Sequence, residues 1–214
     1  MRDPASRLGA ILVVLAFAAL AVALPERYRL VPTWLVYSDA AVFIVVVLIA
    51  LVAPQGSFWR RATRSVALAA VTFAFILNTL TLVRIVDALV TRPQSIQPLP
   101  LLHTSVAMWF ANILIFTLAY WLIDGGGQEA RAQRRAAYYD FDFPARSDPT
   151  KLGPDWQPTI MDYLFVAFTT NTAFGPTEAM PLTARAKALV LVQSLISLVT
   201  VVGVAARAIG ATRD

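Results

Sequence analysis

From Ser105 to Ile123 the chain runs through aromatic and aliphatic residues without one charged side chain. A helix of that length crosses most of the roughly 30 Å hydrocarbon core of a bilayer, and the run is not alone. Comparable apolar stretches extend from Leu8 to Leu24, from about Trp34 to Val52, from about Ser65 to Val90 and from about Ala184 to Ile209. In lipid a backbone amide without a partner is expensive, so segments of this kind fold as helices. Of 214 residues 58% are apolar and 14% charged, and the mean hydropathy is +0.65, so the expected class is an all-α integral membrane protein.

Composition also removes several kinds of chemistry. There is no cysteine, which excludes disulfides, thiolate catalysis and Cys-ligated metal. No nucleophile–base pair and no cluster of metal-ligating residues is visible, so neither an enzyme nor a cofactor is expected. The triple glycine Gly125–Gly127 lacks the Lys-Ser/Thr of a phosphate loop. Asp140 and Asp142 stand in a D-F-D-F alternation, which predicts solvated neighbours facing away from two phenylalanines rather than an acid/base couple. His103, the one histidine, has no nearby acid and reads as an interface residue. The net charge of +5 is carried almost wholly by arginine, with Lys151 and Lys187 the two lysines. In a membrane chain that excess encodes topology and attraction to anionic lipid; the bilayer is the implied partner, not nucleic acid.

Individual crossings carry smaller signals. The first follows Arg2 and Arg7 and contains Ala19-Leu20-Ala21, a small-x-small form like a signal cleavage site, but its length favours a retained signal-anchor helix. Asp39, beside Trp34 and Tyr37, fits headgroup level. Arg84 and Asp87 lie three apart near the end of the third helix, a spacing that predicts a local ion pair. Trp109, Tyr120 and Trp121 read as aromatic anchors of the fourth helix, with Asn112 within it.

One stretch is not explained by lipid alone. From Thr159 to Lys187 the sequence is TIMDYLFVAFTTNTAFGPTEAMPLTARAK. Its apolar run, Tyr163 to Phe168, is too short to cross, and it turns into Thr169-Thr170-Asn171-Thr172 followed by Gly175-Pro176 and Glu178. That pattern predicts a half-helix ending inside the membrane, with non-helical backbone at 173–177 facing a cavity, vestibule or pore.

The run T-T-N-T-A-F-G-P-T-E-A-M-P-L-T-A-R-A-K resembles the pore-loop signature of potassium channels, roughly T-T-x-T-V-G-Y-G-D-x-x-P-x-T-x-x-G-R, without a gap. The resemblance implies that Thr170 and Thr172 hold pore-helix positions and that Ala173, Phe174, Gly175, Pro176 and Thr177 replace the filter residues. It further implies that Glu178 stands for the acid behind the filter and that Ser197 falls where such channels carry a hinge glycine. Of the filter's two glycines one survives; Pro176 and Thr177 resist the backbone freedom a multi-site carbonyl ring needs. The chain as a whole also resembles a group of bacterial membrane proteins of unassigned activity with a DGGGxEARA-like loop and an FTTxTAFxPTxxMPLT stretch. Related modules assemble as tetramers, so the resemblance implies a homo-oligomer passing monovalent cations. The alternative is a non-conducting scaffold or sensor that binds a partner through residues 124–158.

The expected architecture is therefore five transmembrane helices, six if 159–176 crosses as a broken helix, plus a re-entrant pore-like half-helix. Residues 1–102 hold three helices and their loops. Residues 103–214 form a channel-like module: an outer helix at 103–123, a polar loop at 124–158, the half-helix and its loop at 159–183, and an inner helix at 184–209. Along the inner helix Ser194, Ser197, Thr200 and Gly203 recur every three, as pore-facing or close-packing positions. With the N-terminus in the cytoplasm, Arg2, Arg7, Arg60, Arg61, Arg64, Arg131, Arg134, Arg135, Arg146 and Lys151 share that side, against Arg27, Arg29 and Arg92 opposite. The bias predicts the inner (plasma) membrane with a cytoplasmic N-terminus and puts the 124–158 loop inside, inverted relative to potassium channels.

Overall fold

The structure is a computed structural model that describes residues 4–23, 32, 34, 37–38, 41–42, 44–45, 57–91, 97–133, 136–148, 153, 156–172 and 179–211. Helix α1 spans Pro4–Ala23, α2 Ser57–Thr91, α3 Pro98–Ile123, α4 Gln128–Ala132, α5 Pro144–Ser147, α6 Ile160–Thr172 and α7 Ala184–Ala211. Two short strands, β1 (Phe141–Asp142) and β2 (Met180–Pro181), pair antiparallel with Phe141 opposite Pro181. Among the described residues three helical segments are long and apolar enough to cross a membrane: Arg61–Thr91, Leu99–Gly126 and Ala184–Ala205. Asp39 and most of the second apolar stretch lie outside the described residues.

Local chemistry sets the element ends. At α3 Pro98 and Pro100 occupy the first turn, where a missing N–H costs nothing. Its C-terminus is closed by the Asp124 N–H donating to the Tyr120 carbonyl, after which Gly125, Gly126 and Gly127 take φ of 57°, 80° and 97°. Three successive residues at positive φ are tolerable only for glycine. Thr159 and Asp162 close the start of α6, where the Asp162 carboxylate accepts from both the Thr159 N–H (2.6 Å) and its hydroxyl (2.7 Å). Thr183 caps α7 by accepting from the Ala186 N–H at 3.3 Å.

Helix α3 is the hub, packing against α1, α2, α6 and α7. It runs antiparallel to α2, since Phe75 meets Phe116 edge to face at 6.0 Å while the Arg64 guanidinium donates to the Leu122 carbonyl at 3.1 and 3.2 Å. Gly9 of α1 lies against Ile160 of α6, so close that a Cβ there would meet Ile160 Cγ2 at 2.2 Å. Gly9, Arg64, Leu122 and Ile160 therefore share one end of the bundle. Residues 124–133 and 136–148 fold over that end as a cap.

The cap is plugged into the bundle by aromatic rings. Phe141 and Phe143 are buried, Phe141 against Tyr120 (4.9 Å) and Tyr163 (6.3 Å), Phe143 against Tyr163 (5.4 Å) and Trp156 (5.8 Å). The outward view of the D-F-D-F acids needs correction for one of them. Asp140 is fully buried and only Asp142 is partly open, because β1 is two residues long and Asp140 precedes it in a turn toward α7. Arg84 and Asp87 are also corrected. Both are exposed, and among the described residues no ion pair joins them: on an open helix face such a pair is worth only a few tenths of a kcal/mol against the freedom of two long side chains.

Candidate functional site

Helix α6 is held at both ends by polar groups of opposite character. Its buried stripe, Ile160, Tyr163, Val166, Ala167, Thr170 and Asn171, follows helical spacing and faces α3 and α7. Met161, Phe165 and Phe168 are exposed on the other side.

At the C-terminal end the groups are neutral. Asn112 Nδ2 donates to Asn171 Oδ1 at 2.6 Å and to the Gln193 carbonyl at 3.2 Å, while Asn171 Nδ2 donates to the Trp109 carbonyl at 3.2 Å. Gln193 Nε2 donates to the Ala167 carbonyl at 2.7 Å and its Oε1 accepts from the Tyr120 hydroxyl at 2.5 Å. Ser197 Oγ donates to the Asn171 carbonyl at 2.5 Å. One network thus ties α3, α6 and α7 together inside the apolar bundle. Asn112 Oδ1, Thr170 Oγ1 and Asn78 Nδ2 are buried without a hydrogen-bond partner.

At the N-terminal end the groups are charged. Asp124 is fully buried; its Oδ1 accepts from the N–H groups of Asp140 (2.7 Å) and Phe141 (3.2 Å), and its Oδ2 accepts from the Tyr163 hydroxyl (2.6 Å). Arg146 lies 3.6 Å from Oδ2 and stacks on Tyr139 with its guanidinium 3.6 Å from the ring centroid. Arg131, 2% exposed, donates to the carbonyls of Trp121 and Asp124 and sits 5.2 Å from the Tyr163 ring centroid. Burial pushes the Arg131 guanidinium below its ordinary pKa, an effect that Tyr163 and Asp124 partly offset.

A second acid locks the cap to α7. Arg185 grips Asp140 in a bidentate pair, Nε to Oδ1 and NH2 to Oδ2 at 2.6 Å each, and the Thr183 hydroxyl donates to Oδ1 at 2.6 Å. Burial pushes the Asp140 carboxyl up, but the hydrogen bonds from Arg185 and Thr183 and the Arg185 charge outweigh it and hold the group below the usual carboxylate range.

Of the residues singled out from sequence, Thr170 is on the buried stripe of α6, and Thr172 is half-buried with its hydroxyl donating to the carbonyls of Phe168 (3.1 Å) and Thr169 (3.2 Å). Ala173, Phe174, Gly175, Pro176, Thr177 and Glu178 lie outside the described residues. Ser197 and Thr200 are buried, Thr200 donating to the Ile196 carbonyl at 2.7 Å; Ser194 and Gly203 are half-buried, and a Cβ on Gly203 would touch Leu89 at 3.6 Å. Leu191, Leu195, Leu198 and Val202 cover the exposed face of α7.

Gln193, Tyr163 and Asp124 were not among the sequence candidates, and Tyr120, read there as an interfacial anchor, is fully buried in the network. An uncharged amide in a crossing helix was the available signal for Gln193, as it was for Asn112. No protein family, curated protein or solved structure matches the chain.

Proposed function

We propose that the chain is a channel-like membrane protein in which residues 159–183 form a re-entrant half-helix and loop, and that a homo-oligomer built around this module passes monovalent cations with weak selectivity. The observation that carries the reading is the position of α6 between two membrane-length helices. Its start lies at the cap, where Tyr163 meets Asp124, and Asn171 lies beside Trp109 and Asn112, near the middle of α3. Strand β2 is back at the cap, paired to β1. The 13 residues of α6 descend about 20 Å, and the eight steps from Thr172 to Met180 reach at most about 28 Å when extended, enough to return.

The reading takes five crossings, and it is supported by helices α1 and α2 both leaving the cap end, which calls for a return that the apolar sequence at 34–52 is long enough to make. The arginine bias then favours a cytoplasmic cap and N-terminus. Pro176 and Thr177 argue against a potassium-selective carbonyl ring, and Glu178 would set a negative ring near the mouth.

A scaffold or sensor without flux is favoured by one observation: Ser197 and Thr200 turn into the protomer and not toward an axis. Reconstitution in liposomes with potassium, sodium and chloride flux assays, alongside Glu178→Gln and the oligomer mass in detergent, separates the two. Cation flux from an oligomer that falls in Glu178→Gln supports the pore. A monomer without flux of any ion supports the scaffold, and strong potassium-over-sodium selectivity would refute the filter argument.

A further inference from the structure

We propose that the cap carries an anion site, formed by Arg131 and Arg146 on either side of Asp124, that takes a phosphate group. Arg131 NH2 and Arg146 Nε and NH2 are buried and have no hydrogen-bond partner. Three such guanidinium nitrogens, on two arginines that both contact Asp124, are unusual, since each buried donor left without an acceptor costs free energy.

The charges around them do not cancel. Asp140 is taken up by Arg185 in its bidentate pair. Asp124 meets Arg146 at its carboxylate and Arg131 at its backbone carbonyl, and most of the carboxylate's acceptor capacity is already spent on Tyr163 and on the Asp140 and Phe141 N–H groups. Arg146 touches it at 3.6 Å, an ion contact longer than a hydrogen bond. Arg146 also works against the charge on Arg131. A ligand bringing negative charge and several acceptor oxygens would answer both deficits at once.

Phosphate fits better than a carboxylate. Its tetrahedral oxygens can accept from two planar forks at once, and arginine is the side chain suited to it. The forks are preorganised: Arg131 by two carbonyls and the Tyr163 ring, Arg146 by the Phe141 carbonyl (3.0 Å) and the Tyr139 ring. Arg146, with its side chain 18% exposed, is the open edge of the site. The site follows directly on Ile123, the last apolar residue of α3, so both a phospholipid headgroup and free phosphate are available sources.

The test uses the full chain, purified in a phosphate-free maltoside detergent and delipidated. Inorganic phosphate is titrated against chloride at matched ionic strength while unfolding is followed by tryptophan fluorescence. A rise in midpoint of roughly 3–6 °C at ten times the dissociation constant is expected, lost in Arg146→Gln, the less buried of the two arginines; Arg131→Gln is the second variant. In parallel, native mass spectrometry after reconstitution in 3:1 phosphatidylcholine–phosphatidylglycerol vesicles reports retained lipid. Phosphatidylglycerol retention that drops in Arg146→Gln, without a phosphate shift, supports the site with lipid as the source. A phosphate shift without lipid retention supports it with free phosphate as the source. Neither effect, or an effect that survives in a folded Arg146→Gln, overturns the proposal.

Discussion

The two ends of α6 are fastened by different chemistry. At the cap the fastening is ionic, with Asp124 and Asp140 fully buried among Arg131, Arg146 and Arg185. Near the middle of α3 it is made only of amides and hydroxyls, from Asn112, Asn171, Gln193, Tyr120 and Ser197. The split follows the cost of removing each group from water. A buried ion requires a partner and several hydrogen bonds, which the cap supplies through backbone N–H groups and arginine forks. An amide deep in an apolar bundle needs only mutual hydrogen bonds, each worth about 0.6 kcal/mol on average and at most about 1.7 in membrane helices.

If this contrast is right, the largest effect comes from the acid at the cap. Asp124→Ala strips the acceptor from Tyr163 and two N–H groups and leaves two arginines facing each other, so a loss on the order of 3–5 kcal/mol is expected. It would be read as aggregation or a collapsed thermal midpoint in detergent. A monodisperse variant with an unchanged midpoint would break the comparison.

The amide end should respond less. Gln193→Leu leaves the Tyr120 hydroxyl without its acceptor and takes the side-chain donor from the Ala167 carbonyl, and a destabilisation of about 1–2 kcal/mol is expected. A double-mutant cycle with Asn112→Leu and Asn171→Leu sharpens the point, since a coupling near zero would mean that the network does not act as a unit.

The Asp140–Arg185 pair gives a pH signature that the amide end lacks. The folded carboxyl sits below its ordinary value of 3.8, so the stabilisation is complete above that value and drains away as pH falls through the lower folded pKa. Because the Arg185 side chain is 46% exposed, about 0.5–1 kcal/mol is expected at neutral pH. Midpoints of wild type and Arg185→Gln should differ at pH 7 and converge as pH falls below 3.8 and through the lower folded pKa; a constant gap would remove the pair from the account.

The smallest effect belongs to charges outside both ends. Replacing Arg84 and Asp87 together by Gln and Asn should shift stability by less than about 0.5 kcal/mol, because both are exposed and unjoined. A larger change would show that ionic fastening is not confined to the cap.

The apolar runs determined by themselves that the chain is helical, and they located α1, α2, α3 and α7 to within a turn or two, because a long stretch without charge leaves the backbone no other way to satisfy its amides. The stop at Asp124, where three glycines follow, was equally legible. Which polar groups meet was not legible. Asp140 pairs with a base 45 residues away and Asp124 with a hydroxyl 39 away, contacts that no local spacing encodes. An aspartate in a D-F-D-F run looks solvated until Phe141 docks between Tyr120 and Tyr163 and Phe143 between Tyr163 and Trp156, carrying it under the cap. Tertiary packing decided that burial, and with it the charge imbalance at Arg131 and Arg146, because hydrogen-bond partners within 3 Å are set by how helices cross and not by how residues follow one another.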